Sequence, residues 1–248
     1  MKLNTIYNED CLEGMKRIPD SSVDMILCDL PYGTTACKWD AIIPFEPLWE
    51  QYERVIKDNG AIVLTASQPF TSALVMSNTK LFRYEWVWEK TMASNFALAR
   101  KQPLKKHENI LVFYRKQPTY NPQMEVGKPY VDKRGTGARN ASVGTSADVK
   151  RVPIKNNGTR FPSSVQKYSN GNNNNVHPTQ KPVALFEYLI KTYTNEGETV
   201  LDNCMGSGTT AIAAMNTNRN YIGFELDENY YNIANERIRQ KQSEVTLW

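Results

Sequence analysis

The sequence predicts an α/β fold built on a mostly parallel sheet, and three observations carry that expectation. Seven short apolar runs rich in β-branched residues recur along the chain. Helical patterns fill most of the intervals, and two of the runs empty directly into polar turns bearing proline or glycine. Strands that alternate with helices favour a sheet covered on both faces.

Asn4–Tyr7 opens the series as a short strand. Val23–Cys28 is an apolar run that leads straight into Asp29-Leu30-Pro31-Tyr32-Gly33. A helical pattern over Glu46–Lys57 separates it from the strand Ala61–Ala66, and another over Pro69–Ser77 separates that from Tyr84–Glu89. Between Tyr84–Glu89 and the next run, Asn109–Arg115, no amphipathic pattern of helix length occurs, so these two are expected to pair antiparallel at an edge of the sheet. The helix Val183–Thr194 starts behind Pro182, a residue suited to a first helical turn. Strand Thr199–Asp202, helix Thr209–Asn216, strand Tyr221–Phe224 and helix Glu228–Gln240 complete a seven-stranded sheet.

Residues 117–176 break this rhythm with Pro118, Pro122, Pro129, Pro153, Pro162 and the tract Asn170-Gly171-Asn172-Asn173-Asn174-Asn175. Tyr120, Tyr130, Phe161 and Tyr168 interleave there with Lys and Arg, which favours a loop-rich recognition insert over a plain linker. The rest of the 248 residues reads as one domain with a full core.

At 40% hydrophobic and 23% charged the composition is ordinary for a globular protein. No stretch approaches the ~20 apolar residues of a membrane span. The start, Met1-Lys2-Leu3-Asn4, turns polar too soon for a secretory signal. Four cysteines, at 11, 28, 37 and 204, lack any zinc-like pairing, so reduced thiols, no metal and a cytoplasmic setting are expected. The net charge of +4 conceals a segregation. Residues 100–181 hold 16 Lys/Arg against 4 Asp/Glu, and the remainder holds 14 against 22. Such a basic segment favours a polyanionic partner, namely nucleic acid, over a merely solvated face.

Two motifs carry chemistry. Thr199-Val200-Leu201-Asp202 runs through Asn203-Cys204-Met205-Gly206-Ser207-Gly208 into the helix at Thr209, the strand–glycine turn–helix unit of nucleotide-binding folds. Glu225 ends the following strand, where an acid can accept two ribose hydroxyls. These two features alone fit either a nicotinamide or a methyl donor. No Lys follows the glycines, which excludes a phosphate-binding P-loop. The second motif, Asp29-Leu30-Pro31-Tyr32, pairs a carboxylate with a backbone carbonyl that proline restrains, next to a flat aromatic face. Two such acceptors can bond both N–H groups of an exocyclic amine and turn its lone pair towards an incoming methyl group, with no metal needed.

Together with His177-Pro178-Thr179-Gln180-Lys181-Pro182 and Asn8-Glu9-Asp10-Cys11, these motifs resemble, in their order, the β-class DNA amino-methyltransferases. That family's catalytic turn is usually written with a second proline where this chain has Leu30. The resemblance covers residues 3–115 and 176–240. It implies a Rossmann-like fold with a circularly permuted motif order and S-adenosylmethionine as donor. The product implied is N6-methyladenine in duplex DNA, with the base flipped from the helix. Asp29, Leu30, Pro31 and Tyr32 would be catalytic. Asp10 would contact the donor's adenine, Lys181 its carboxylate and Glu225 its ribose; Cys11, Asp29, Thr179, Asp202, Asn203, Gly206, Ser207, Gly208 and Thr209 complete that site. Trp39, Lys90, Asn95, Lys133, Arg134 and Arg139 are the candidates for DNA contact, although Trp39 fits a core position equally well. The resemblance also admits a homodimer and a cognate restriction enzyme as partners. Cytosine N4 methylation is the nearest alternative, and a catalytically silent DNA-binding module is the alternative from another class. A nicotinamide dehydrogenase would leave Asp29–Tyr32 and the basic segment without a purpose. With no Pro-Cys pair in the chain, cytosine C5 chemistry is disfavoured.

Overall fold

Residues 1–34, 40–132, 154–170 and 180–245 are described by the structure, a computed structural model. In chain order the elements are β1 (Thr5–Tyr7), α1 (Cys11–Met15), β2 (Val23–Asp29), α2 (Phe45–Val55), β3 (Ile56–Ala66), α3 (Phe70–Ser77), β4 (Phe82–Ser94), β5 (Lys105–Phe113), β6 (Glu125–Val126), β7 (Tyr130–Asp132), β8 (Ile154–Asn156), β9 (Thr159–Arg160), β10 (Val165–Tyr168), α4 (Val183–Tyr193), β11 (Thr199–Asp202), α5 (Thr209–Asn216), β12 (Asn220–Phe224) and α6 (Glu228–Val245).

One sheet takes eight of these strands in the order β1-β12-β11-β2-β3-β5-β4-β10. β5 alone in this sheet runs against the others, antiparallel to β3 and to β4. All seven expected strands are present, and the β4–β5 pair is antiparallel as expected. The edge differs, because an eighth strand lies outside that pair, parallel to β4 with Val165 opposite Val87 and Tyr168 opposite Lys90. Val165-Gln166-Lys167-Tyr168 is polar enough to read as loop, and an edge strand needs only one anchored side. The Trp88 indole N–H supplies an anchor, donating to the Tyr168 carbonyl at 3.0 Å. These four residues fall within the stretch that sequence alone assigned to the insert.

Side-chain alternation explains the layers. Met25 and Leu27 of β2, Ala61 and Val63 of β3, and Ile110 and Val112 of β5 face a core shared with α4, α5 and α6. Their sequence neighbours Ile26, Cys28, Ile62, Leu64, Leu111 and Phe113 face a second core shared with α1, α2 and α3. Each strand interior is therefore apolar on both sides. Burying one such side chain is worth about 1.5–3 kcal/mol, so both faces hold the sheet firmly.

Backbone contacts divide the chain into two compact units, Met1–Asn121 with Ser164–Trp248, and Pro122–Ser163. The smaller unit contains two antiparallel ladders, β6 with β9 and β7 with β8, and the Arg160 guanidinium lies 4.9 Å from the centre of the Tyr130 ring. No helix of the described residues is long and apolar enough to cross a membrane.

Candidate active site

β1, β12, β11, β2 and β3 are mutually parallel, so their C-terminal ends collect along one edge of the sheet. Asp29, Asp202 and Glu225 all stand at or just after those ends. This is the edge at which open α/β sheets bind ligands.

Asp29 closes β2 and is bonded on both oxygens. Oδ1 accepts from the Tyr32 hydroxyl at 2.8 Å and from the Thr65 hydroxyl, while Oδ2 faces the Lys181 ammonium at 2.7 Å. Leu30 buries its side chain in the core, which pins the turn. Beyond Tyr32, Gly33 adopts a φ of 67°, and the Asp40 carboxylate accepts the N–H groups of Gly33 and Thr34 at 2.8 and 2.9 Å. The Tyr32 ring stacks on Phe70 at 5.3 Å between centroids, and the Lys181 Nζ lies 5.4 Å from its centre. Burial, reinforced by the Asp29 and Glu108 carboxylates, holds the Tyr32 phenol well above its ordinary pKa, so it acts as a neutral donor.

Lys181 is buried and joins the two halves of the edge. Besides Asp29 it lies 3.4 Å from Glu108 Oε2, whose other oxygen accepts from Lys90. Burial alone would push the Lys181 ammonium down, but the two carboxylates outweigh it and hold it above its usual value. Burial likewise pushes Glu108 up, and Lys181 and Lys90 together bring it below the ordinary carboxylate range. The result is an alternating chain of charges, Asp29, Lys181, Glu108 and Lys90, each ion-paired with the next.

The glycine turn follows β11. Asp202 accepts the Cys204 N–H at 3.0 Å and the Thr210 hydroxyl, and burial pushes its carboxyl up to about 6. Asn203 accepts the Tyr52 hydroxyl at 2.5 Å and directs its amide towards the sulfurs of Cys11 and Cys204. Gly206 and Gly208 have φ of 53° and 86°, a region open mainly to glycine. A side-chain carbon on Gly206 would meet no atom within 4 Å, so the turn faces open space. Arg237 braces it by donating to the Ser207 hydroxyl at 3.0 Å. Glu225 accepts the N–H of Gly206 at 2.7 Å and of Asp227 at 2.8 Å, and burial raises its pKa. Asp10 caps α1, accepting from Leu12 and Glu13 at 2.9 and 3.2 Å.

One cleft unites these parts. Asp29, Lys181, Phe186, Asp202, Cys204, Met205, Gly206, Ser207, Thr209 and Thr210 line it together. Two of the expected site residues are held by partners within the protein. Lys181 turns its ammonium to Asp29 and Glu108, because a buried cation is held by the nearest buried carboxylates. Lys90, expected on the DNA side, is likewise largely buried against Glu108 and over the Trp88 ring at 5.0 Å. Asn95 stands at the far end of β4 in a left-handed turn. Trp39, Thr179, Lys133, Arg134 and Arg139 lie outside the described residues. Thr65, Glu108 and Asp40 were not foreseen. Of these only Glu108 had a signal, an acid set against the apolar run Ile110–Phe113.

Comparison with known proteins gives a consistent answer. A family model described as DNA methylase, covering the N6 and N4 types, matches residues 23–236. The DNA adenine methyltransferase YhdJ of Escherichia coli K12 is 30% identical over 94% of this chain and 82% of its own length. Among solved structures, the complex of M1.HpyAVI with SAM superposes with a TM-score of 0.62 at 23% identity over 94% of this chain and 98% of its own. The cytosine-N4-specific PvuII DNA methyltransferase reaches 0.67 at 15% identity over 93% and 84%.

Proposed function

The chain belongs to the N6/N4 DNA methylase family, and from that premise we propose that it transfers a methyl group from S-adenosylmethionine to the N6 amine of an adenine flipped out of duplex DNA. The observation that carries the reading is the shared cleft, in which Asp29 lines the same space as Gly206 and Ser207 of the glycine turn. A donor seated on the glycine turn and an amine held by Asp29 would be brought together there.

The residues present suit the donor. The open face of Gly206 accommodates the backbone-like methionine end, the N-terminus of α5 favours its carboxylate, and Glu225 stands at the strand end where a ribose would lie. S-adenosylmethionine, when bound, supplies an electrophilic methyl on sulfur. The chain's part is positional. Asp29 accepts an amino N–H in place of the Tyr32 hydroxyl, Lys181 keeps the carboxylate from rotating, and the buried surroundings exclude water. With the donor bound, Asp29, as acceptor of that N–H, would be placed to take up the proton that the amine sheds on methylation, the donor leaving as its neutral thioether.

Adenine is favoured over cytosine by Asp at position 29, since cytosine N4 enzymes of this kind more often carry Ser there, and by the similarity to YhdJ. The decisive experiment incubates the purified protein with labelled donor and genomic DNA, followed by nucleoside analysis. N6-methyladenine is expected. N4-methylcytosine would replace the target base in this reading, and absence of both would overturn it.

A further inference from the structure

β4 and β5 continue well past the site. The register places Asp29 beside Thr65, Thr65 beside Ile110 and Ile110 beside Trp86. Val87–Ser94 therefore lie beyond the row of Asp29, on the side to which the catalytic turn projects. β10 flanks this extension from Val87 to Lys90; beyond that β4 and β5 run on as a two-stranded tip in which Ser94 lies beside Lys105. At about 3.3 Å per residue β4 carries this arm on the order of 20 Å past Asp29. It is braced rather than loose. Lys90 pairs with Glu108 at its root, Lys105 donates to the Ser67 hydroxyl, and the Asn170 amide bonds both the N–H and the carbonyl of Met92 at 2.9 and 3.0 Å. At the tip Asn95 turns left-handed, with φ 72°, into a single 3₁₀ turn, Phe96–Leu98, closed by the Leu98 N–H to the Asn95 carbonyl and the Ala99 N–H to the Phe96 carbonyl, each at 3.1 Å.

What this arm presents is unusual for a surface left to water. Phe96 is 65% exposed and Met92 62%. Arg100 and Lys101 beside them are exposed, and no carboxylate of the described residues is paired with either. An apolar wedge between cations is the chemistry of a side chain that enters a base stack while its neighbours hold phosphates. A two-stranded ribbon is also of a size that the major groove admits.

We propose that the β4–β5 arm opens the duplex: Phe96 inserts beside the target nucleotide and fills the gap left when that base turns towards Asp29, while Arg100 and Lys101 hold the flanking phosphates. The inference rests on the DNA methyltransferase reading above and assigns to named residues a step which that reading leaves unassigned. Inserting Phe96 offsets part of the cost of unstacking, so its benefit should vanish where the target base is already unpaired.

The test uses the full chain and two duplexes bearing the site it methylates, one fully paired and one with an abasic position opposite the target base. Phe96→Ala is expected to lower kcat/KM by about tenfold or more on the paired duplex and by less than about threefold on the other. Phe96→Leu, which retains an apolar wedge, should recover most of the rate. With 2-aminopurine at the target position, binding of the wild type should raise its fluorescence, and Phe96→Ala should not. Equal losses on both duplexes, or no loss on either, would overturn the proposal. So would a shift of oligomeric state in Phe96→Ala without duplex selectivity, which would assign the tip to self-association. A wild-type protein that methylates no DNA would instead bring down the underlying reading, and this one with it.

Discussion

Replacing Asp202 by Asn should make the protein more stable at neutral pH while weakening its hold on the methyl donor. The Asp202 carboxyl is buried at the end of β11, and burial pushes it up to about 6 against the opposing pull of the Thr210 hydroxyl and the Cys204 N–H. In the unfolded chain an aspartate ionises near ~3.9. Between those two values the folded state keeps a proton that the unfolded state has released. Stability therefore falls as pH rises from about 4, and the loss is complete above about 6. A displacement of some two pK units corresponds to about 3 kcal/mol. Asparagine keeps the shape and one acceptor but has no such penalty. Relative to wild type, the variant's unfolding free energy should rise by about 3 kcal/mol between pH 4 and pH 7, or roughly 6–12 °C in Tm for a chain of this size. Urea titrations of both proteins at five pH values read that difference directly, since every other titrating group is common to both. Calorimetry with S-adenosylmethionine reads the loss of affinity. Stability curves that stay parallel across the range would refute the reasoning, for the carboxylate would then ionise as freely in the folded site as in water.

Asp29→Ala should abolish methyl transfer with little change in donor or DNA affinity; Tyr32→Ala should be severely impaired and Tyr32→Phe less so, as single-turnover assays would show. Lys181→Met leaves Asp29 and Glu108 facing each other without their shared cation, a loss of about 3–5 kcal/mol by urea denaturation, and adding Glu108→Gln should restore part of it. Glu225→Ala should weaken donor binding by about 1.5–3 kcal/mol for each charged hydrogen bond lost, measured by calorimetry. Replacing Lys133, Arg134 and Arg139 together should weaken DNA binding and flatten its dependence on salt by about 1 per phosphate contact removed, and parallel salt plots at equal affinity would exclude those residues from the DNA interface.

The parts of this molecule that were legible in the sequence are those whose physics is local. Gly206 and Gly208 announce a turn because their φ values suit few other residues. The alternation that builds both cores is likewise written into each strand. Pairings across the chain were not legible. Lys181 meets Asp29 across 152 positions, and nothing in the motif around Lys181 indicates that a buried carboxylate would claim its ammonium. β10 escaped notice because an edge strand can be short and polar, and the β4–β5 arm because extension past the core leaves no periodic apolar mark.

The sheet's strand order also dictates when the molecule can fold. β2, the strand that delivers Asp29, finds β3 on one side soon after both are made, but its other neighbour is β11, with Met25 beside Val200. β1 must wait longer still, for β12, with Thr5 beside Ile222. Until then a nascent chain holds an unpaired strand edge flanked by the apolar residues of both cores, a template for adhesion to other chains. Pairing so distant in sequence is slow to form because loop closure precedes any gain. Synthesis of the segment from α4 to α6 thus completes the catalytic half as well as the donor half, and the enzyme cannot acquire one without the other.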